Sequence, residues 1–353
     1  MFNRRPVIEL AILLALSSIS VATRQRTAPA TDATSRAVVA AEAFLATLDQ
    51  SQRAKANIDL NEKTRTIWSN LPVGTTMQVG ATERNGLRLG DMTPPQEKAA
   101  LALVAATLSG EGYRKAMEIV DADEVLETRS APTRKPGAPI RFGRAFFYVS
   151  ILGKPSTTDT WMLQFGGHHL GINVTLAGRD SVLTPTHTGA QPATYALDGR
   201  TIRPLGEEND KAFALINALN PEQQKQAVLG FEVRNLVLGP GADGKMIQPE
   251  GVRASTLTPQ QRTMLLELAR EWVGILGDEA AAAKMKELQS GIADTYFAWA
   301  GPTTIGKGAY FRIQGPAVFI EYAPQGQGDT NVDHIHTIYR DPTNDYAARM
   351  TKR

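Results

Sequence analysis

The chain contains no cysteine. Disulfides, thiolate metal ligands and cysteine nucleophiles are therefore excluded, and any bound metal would rest on histidine, carboxylates or carbonyls. At 353 residues the chain is long enough to close a large core without cross-links. Past the N-terminal stretch no apolar run is long enough to span a bilayer, so no stable membrane span is expected. Charge of one sign is also missing. The formal net charge is +2, and no basic run exceeds an adjacent pair such as Arg4-Arg5 or the tail Lys352-Arg353, which gives no case for a nucleic-acid partner. From Thr23 onward there is neither a G-x-S-x-G elbow nor an S-x-x-K motif, so nothing selects a serine nucleophile. Histidine is scarce, at five residues, yet four of them fall in two short clusters, Gly166-Gly167-His168-His169 and His334-Ile335-His336.

The N-terminus reads as an export signal. Arg4 and Arg5 form a basic start, Val7 to Ile19 an apolar stretch, and Ser20-Val21-Ala22 a cleavage site, so residues 1–22 are set aside. The paired arginines loosely match a twin-arginine signal. Residues 23–34, rich in Ala, Thr and Pro, read as a flexible lead-in, and residues 35–353 as one α+β domain of helices and antiparallel sheet. The expected location is exported, periplasmic or extracellular.

Periodicity places a helix from Ser35 to about Ala56. Thr93-Pro94 with Gln96, Asn220-Pro221 with Gln223 and Thr258-Pro259 with Gln261 each carry helix-start chemistry. Strands are expected at 145–152, 160–165 and 170–176, and again at 294–299, 309–314, 317–322 and around His334. Gly166-Gly167 suggests a bulge or a close backbone approach, and Ser181 to Pro192 reads as a loop holding the fifth histidine, His187, which is expected to be the most dispensable unless that loop folds over the site. Gly239-Pro-Gly241-Ala-Asp-Gly244 spells G-x-G-x-x-G, but no helix opens at its third glycine, so a surface turn is the better reading. A shift of 149 residues aligns Phe147-Tyr148 with Tyr296-Phe297, Trp161 with Tyr310 and Gly166 with Gly315. This hints at two similar α+β halves, 35–203 and 204–353, with the histidine clusters near their junction.

On a strand, His334 and His336 share a face and can converge on one ion. His168 and His169 would point to opposite faces, so only one of them is expected to join as a ligand. Three imidazoles leave a fourth position open on a divalent metal, zinc foremost, with copper, iron or manganese also suited to sulfur-free donors. Glu321 is the candidate fourth ligand or general base, and Arg340 or Tyr339 the stabiliser of developing charge. Asp333 and Asp341 are candidates to orient an imidazole. Metal affinity should fall below about pH 6 as the imidazoles protonate. The competing reading makes the histidines hydrogen-bonded structural residues.

Taken together, Trp161…Phe165-Gly-Gly-His-His-Leu170, Gly239-Pro-Gly241, Pro249-Glu-Gly251, Arg312-Ile-Gln-Gly-Pro316, Ile320-Glu-Tyr322 and His334-Ile-His-Thr-Ile-Tyr-Arg-Asp-Pro-Thr-Asn-Asp345 resemble the bacterial and fungal proteins catalogued as domain of unknown function 3500, over about residues 40–348. The resemblance implies a domain extent and brings no activity. The family pattern continues through Asn-Asp-Tyr/Phe-Gly to a further His-Tyr. Here Ala347 stands in place of the glycine and no later histidine follows, which implies a changed site. The resulting expectation is an exported, metal-dependent enzyme, a hydrolase by default, acting on a small-molecule or polymer substrate. The alternatives are a non-catalytic periplasmic protein that binds a metal or small ligand, and a copper- or iron-dependent oxidase.

Overall fold

Capping chemistry fixes where most helices of this computed structural model begin. The structure describes residue 1 and residues 32–75, 84–325 and 332–350. The expected export signal, residue 1 apart, and most of the expected lead-in lie outside that range. Asp32 caps α1 (Ala33–Ala46) by accepting the Ser35 amide at 2.8 Å. The single helix expected up to Ala56 is two helices, because Asp49 and Gln52 form a reciprocal capping box that starts α2 (Gln50–Ala56). There follow β1 (Asn57–Ile58), β2 (Leu87–Arg88), α3 (Pro94–Thr107) and α4 (Gly110–Ser130). Next come β3 (Tyr148–Leu152), β4 (Trp161–Gly167), β5 (Leu170–Ala177), β6 (Asp180–Val182) and β7 (Thr186–Ala190). A separate hairpin, β8 (Tyr195–Leu197) and β9 (Arg200–Ile202), leads to α5 (Gly206–Ala218) and α6 (Pro221–Ala227). The chain closes with β10 (Val252–Arg253), α7 (Pro259–Val273), α8 (Asp278–Ser290), β11 (Tyr296–Ala300), β12 (Tyr310–Gly315), β13 (Val318–Pro324) and β14 (Ile335–Arg340). The class is α+β.

Two sequence expectations change here. The stretch 181–192 is not a loop: it contains β6 and the fully buried β7. Its Thr-His-Thr-Gly-Ala sequence has no apolar alternation and lies between Pro185 and Pro192, which together hide a central strand. At Gly166-Gly167 the bulge is absent and the close approach holds: a Cβ on Gly166 would stand 2.5 Å from the Leu170 carbonyl oxygen, and one on Gly167 2.7 Å from the Phe147 ring. β4 runs through both glycines, which pair with Gly171 and Leu170, and His168-His169 forms the two-residue hairpin turn.

The strands make one sheet in the order β1-β3-β4-β5-β7-β14-β13-β12-β11-β10, with β2 against β3 and β6 against β5. Every pairing is antiparallel except β1 with β3. The order of a short strand, two helices and antiparallel strands runs from β2 to β7 and recurs from β10 to β14. The last strands of both runs, β7 and β14, pair at the middle of the sheet, where Thr188 faces Thr337 with their hydroxyls 2.7 Å apart.

The helices cover one face. There Phe147, Phe165, Ile172, Phe311 and Ile313 join Phe44, Leu103, Ile119, Leu268 and Trp272 in the main core. Connecting segments cover the other face with smaller apolar clusters: Leu238, Ala242, Phe319 and Ile338; and Leu152, Met162 and Tyr346, with Trp68 packed against both. This second face carries the histidines.

Candidate metal centre

Register alone brings the clusters together. His336 on β14 lies opposite Gly189 on β7, and the β5–β7 register places Gly189 opposite His169 in the hairpin turn. The row therefore reads imidazole, glycine, imidazole. A Cβ on Gly189 would stand 2.7 Å from the Ile335 carbonyl oxygen, 3.2 Å from the His336 ring and 3.3 Å from His169 Cβ. The glycine leaves the space in which the two rings meet. Substituting Ala at Gly189 should displace one of them. It should cost about 1–3 kcal/mol by overpacking and weaken metal binding at least about tenfold in a chelator competition titration. Unchanged affinity would contradict this role.

Three Nε2 atoms converge over that gap. His334 Nε2 lies 2.9 Å from His169 Nε2 and 3.1 Å from His336 Nε2. An imidazole nitrogen carries one in-plane hydrogen or one in-plane lone pair, never both. His334 Nε2 can satisfy only one of its two neighbours by a linear hydrogen bond, so the trio is frustrated without a cation. Around a tetrahedral ion with Zn–N bonds of about 2.0–2.1 Å, the nitrogens stand about 3.3 Å apart. The observed separations are within a few tenths of an ångström of that, and the three residues form a group able to hold a metal ion. His169 is buried, whereas His334 and His336 are only half-buried, so the centre opens on their side.

Backbone and electrostatics favour the same use. His169 sits at φ 64°, the left-handed region where glycine would be free of cost, and its amide donates to the Asn70 carbonyl at 3.0 Å. Burial, reinforced by neighbouring imidazoles, holds His169 and His336 well below the ordinary histidine range and pushes His334 down to about 4. All three are therefore neutral, the form a metal requires.

His168 and His169 do not point to opposite faces. Their rings stack at 3.6 Å, because a hairpin turn rather than an extended strand sets their directions. Asp123, His168 and His169 also lie close enough to form a group. Stacked rings keep their in-plane lone pairs in two nearly parallel planes rather than aimed at one point, so a shared ion is disfavoured. The geometry is that of a hydrogen-bonded dyad: Asp123 Oδ1 is 2.6 Å from His168 Nδ1, and Asp123 Oδ2 accepts the Gly143 amide at 2.7 Å. The carboxylate that orients an imidazole is thus Asp123. Sequence reasoning missed it, although a carboxylate on the Gly112, Ala116, Ile119, Val120 stripe of α4 was a visible anomaly.

The other named residues are engaged elsewhere. Glu321 is fully buried, and its oxygens accept the Val237 and Leu238 amides at 2.9 and 2.8 Å and the Tyr310 hydroxyl at 2.6 Å. Burial raises its pKa, opposed by those bonds. Arg340 is tied to Leu238, Gly239, Asp243 and Asp345. Tyr339 points to the opposite face of β14, where it lines a cavity with Lys284 and Asp341. Asp341 accepts Lys284 at 2.5 Å, and Asp333 accepts the Ala193 amide at 3.2 Å; neither is bonded to an imidazole. The Gly239–Gly244 segment is a turn, as expected.

His187, expected to be dispensable, lies on the same face as His336, one register step away, with ring centroids 5.1 Å apart. A signal for it was present: the 149-residue shift that aligns Phe147 with Tyr296 also carries His187 onto His336.

No curated protein and no solved structure matches the chain. The model of one family, described as a protein of unknown function (DUF3500), matches residues 30–348, and the chain belongs to that family.

Proposed function

We propose that the protein is an exported metal-dependent hydrolase built on a single zinc ion held by His169, His334 and His336. The observation that carries the reading is the convergence of three Nε2 atoms whose hydrogen bonds to one another cannot all be made. Zinc is favoured by an all-imidazole donor set with one coordination position left for water, the arrangement of catalytic rather than structural sites. An ion held by these three imidazoles would supply a Lewis acid that lowers the pKa of a bound water and polarises the scissile group. Since both Glu321 oxygens are occupied, the proton acceptor we assign is His168. Its Nδ1–H given to Asp123 leaves Nε2 with the lone pair. With an ion held there, His168 would take the proton from the attacking water and return it to the leaving group. The substrate is a small molecule or polymer able to approach from the half-buried His334 side.

Elemental analysis of protein purified from zinc-replete cells should give one zinc per chain. Turnover across ester, amide and phosphoester probes should vanish with a chelator and return with zinc. A chain that takes up no ion would end this reading.

Acid dependence follows from the depressed imidazoles. Below about pH 6.5 the unfolded chain takes up protons that the folded, metal-free site refuses until about pH 4 at His334. Folding stability of the metal-free protein is therefore full above the unfolded value and falls as pH drops through this window. Metal retention should likewise persist at pH 5, lower than the release near pH 6 expected for ordinary imidazoles. Thermal midpoints and metal content measured from pH 7 to 4 check both. A release midpoint at pH 6 or above would contradict the depressed values.

A further inference from the structure

His187 has no exposed surface, and neither of its ring nitrogens has a hydrogen-bond partner. Among the described residues it is the only side chain with two such buried, unpaired atoms. A neutral imidazole always carries one N–H, and a buried donor without an acceptor is costly. Among the described residues none supplies the acceptor. The register places His187 beside Gly171, over whose position the Trp68 ring lies, and opposite Ile338. On this face the His187 ring meets the His336 ring edge-on, with centroids 5.1 Å apart, and His336 belongs to the three-nitrogen centre. The His187 nitrogens are not part of the converging group, so the residue is not a fourth ligand of the same ion.

We propose that His187 is the hydrogen-bond donor to the anion held in the fourth position of the metal: hydroxide in the resting centre, and an oxyanion of the substrate or intermediate in turnover. This rests on the metal reading above. The ion supplies the charge that draws a small anion in, and His187 supplies a fixed N–H on the interior side, out of competition with water. A donor prepaid in this way strengthens an anion's hold more than a solvated one does. The unpaired nitrogens are then the cost, in the empty chain, of a contact made only when the site is filled.

The test uses the cobalt(II)-loaded full-length chain with azide as the probe anion, followed by the visible spectrum of the metal. Wild type, His187→Leu and His187→Gln are compared, with His187→Met as a second apolar variant should the leucine branch not fit. All should bind one cobalt with similar affinity. The apolar variants should bind azide at least about tenfold more weakly, the worth of one charge-assisted hydrogen bond, and the glutamine variant should recover part of the loss. The apolar variants without metal should melt at or above the wild-type temperature, since they remove two unsatisfied atoms. Azide affinity unchanged in the apolar variants overturns the proposal while leaving the metal centre intact. Loss of cobalt on removal of His187 also overturns it, by making the residue a ligand. Failure of the wild type to take up cobalt overturns both readings.

Discussion

Replacing His334 and His336 together with alanine should abolish metal binding in a protein that still folds. Two of three converging nitrogens are lost. Removal of even an outer partner of a metal ligand costs about 10–100-fold in affinity, so loss of two ligands should exceed about a hundredfold. The fold should tolerate the change because neither ring is anchored to the main core: both are half-buried, and their Nε2 contacts are to one another and to His169. Alanine at His334 alone relieves the conflict at its doubly approached nitrogen, so the metal-free single variant should melt within a few degrees of wild type. Glycine at His169 goes further. It removes a ligand, so metal affinity should collapse, while relief of the left-handed strain at φ 64°, worth roughly 1 kcal/mol, offsets only part of the stability lost with a buried ring stacked on His168. Inductively coupled plasma analysis with parallel thermal melts reads both quantities. Full metal content in the double variant would return the histidines to a structural role.

That outcome depends on features the sequence discloses unevenly. His334-Ile-His336 was legible because strand periodicity alone puts both rings on one face, and Thr93, Asn220 and Thr258 were legible because capping chemistry is local. His169 was half legible. The Gly-Gly-His-His run marked the place, but whether two adjacent rings diverge or stack depends on a turn that only the β4–β5 pairing defines. β7 was illegible by periodicity, since a strand buried on both faces by tertiary contacts need not alternate. With β7 read as a loop, neither the Gly189 gap nor His187 could be placed. Glu321 and Arg340 misled for a related reason. A charged residue on a strand beside histidines looks like chemistry in one dimension, and only the covering segment at 237–245 reveals where its bonds go. Buried charge is fixed by its partners, and those partners are distant in sequence.

The largest loss of stability should therefore come from Arg340, a residue the sequence nominated for substrate binding. Its side chain is 4% exposed. Nε donates to the Leu238 carbonyl at 2.8 Å and Nη2 to the Gly239 carbonyl at 2.9 Å, while Nη1 is 3.0 Å from Asp243 and 2.8 Å from Asp345. One guanidinium thus pins the 238–243 turn against β14 and neutralises two carboxylates. Asp345 is already pushed up by burial, and Arg340 is the chief influence holding it down. Removing Arg340 leaves that carboxylate buried and uncompensated, so Arg340→Ala should cost about 3–5 kcal/mol in urea unfolding. Lysine retains the charge but not the planar fork and cannot reach both carbonyls and both carboxylates, so Arg340→Lys should recover only a minority of the loss. Metal content per folded chain should stay at the wild-type level in both variants, because no bond of Arg340 reaches a histidine. If Arg340→Ala instead unfolded within about 1 kcal/mol of wild type and raised KM for an anionic substrate, Arg340 would be a binding residue after all, and the 238–243 turn would be held by Glu321 and its own apolar contacts.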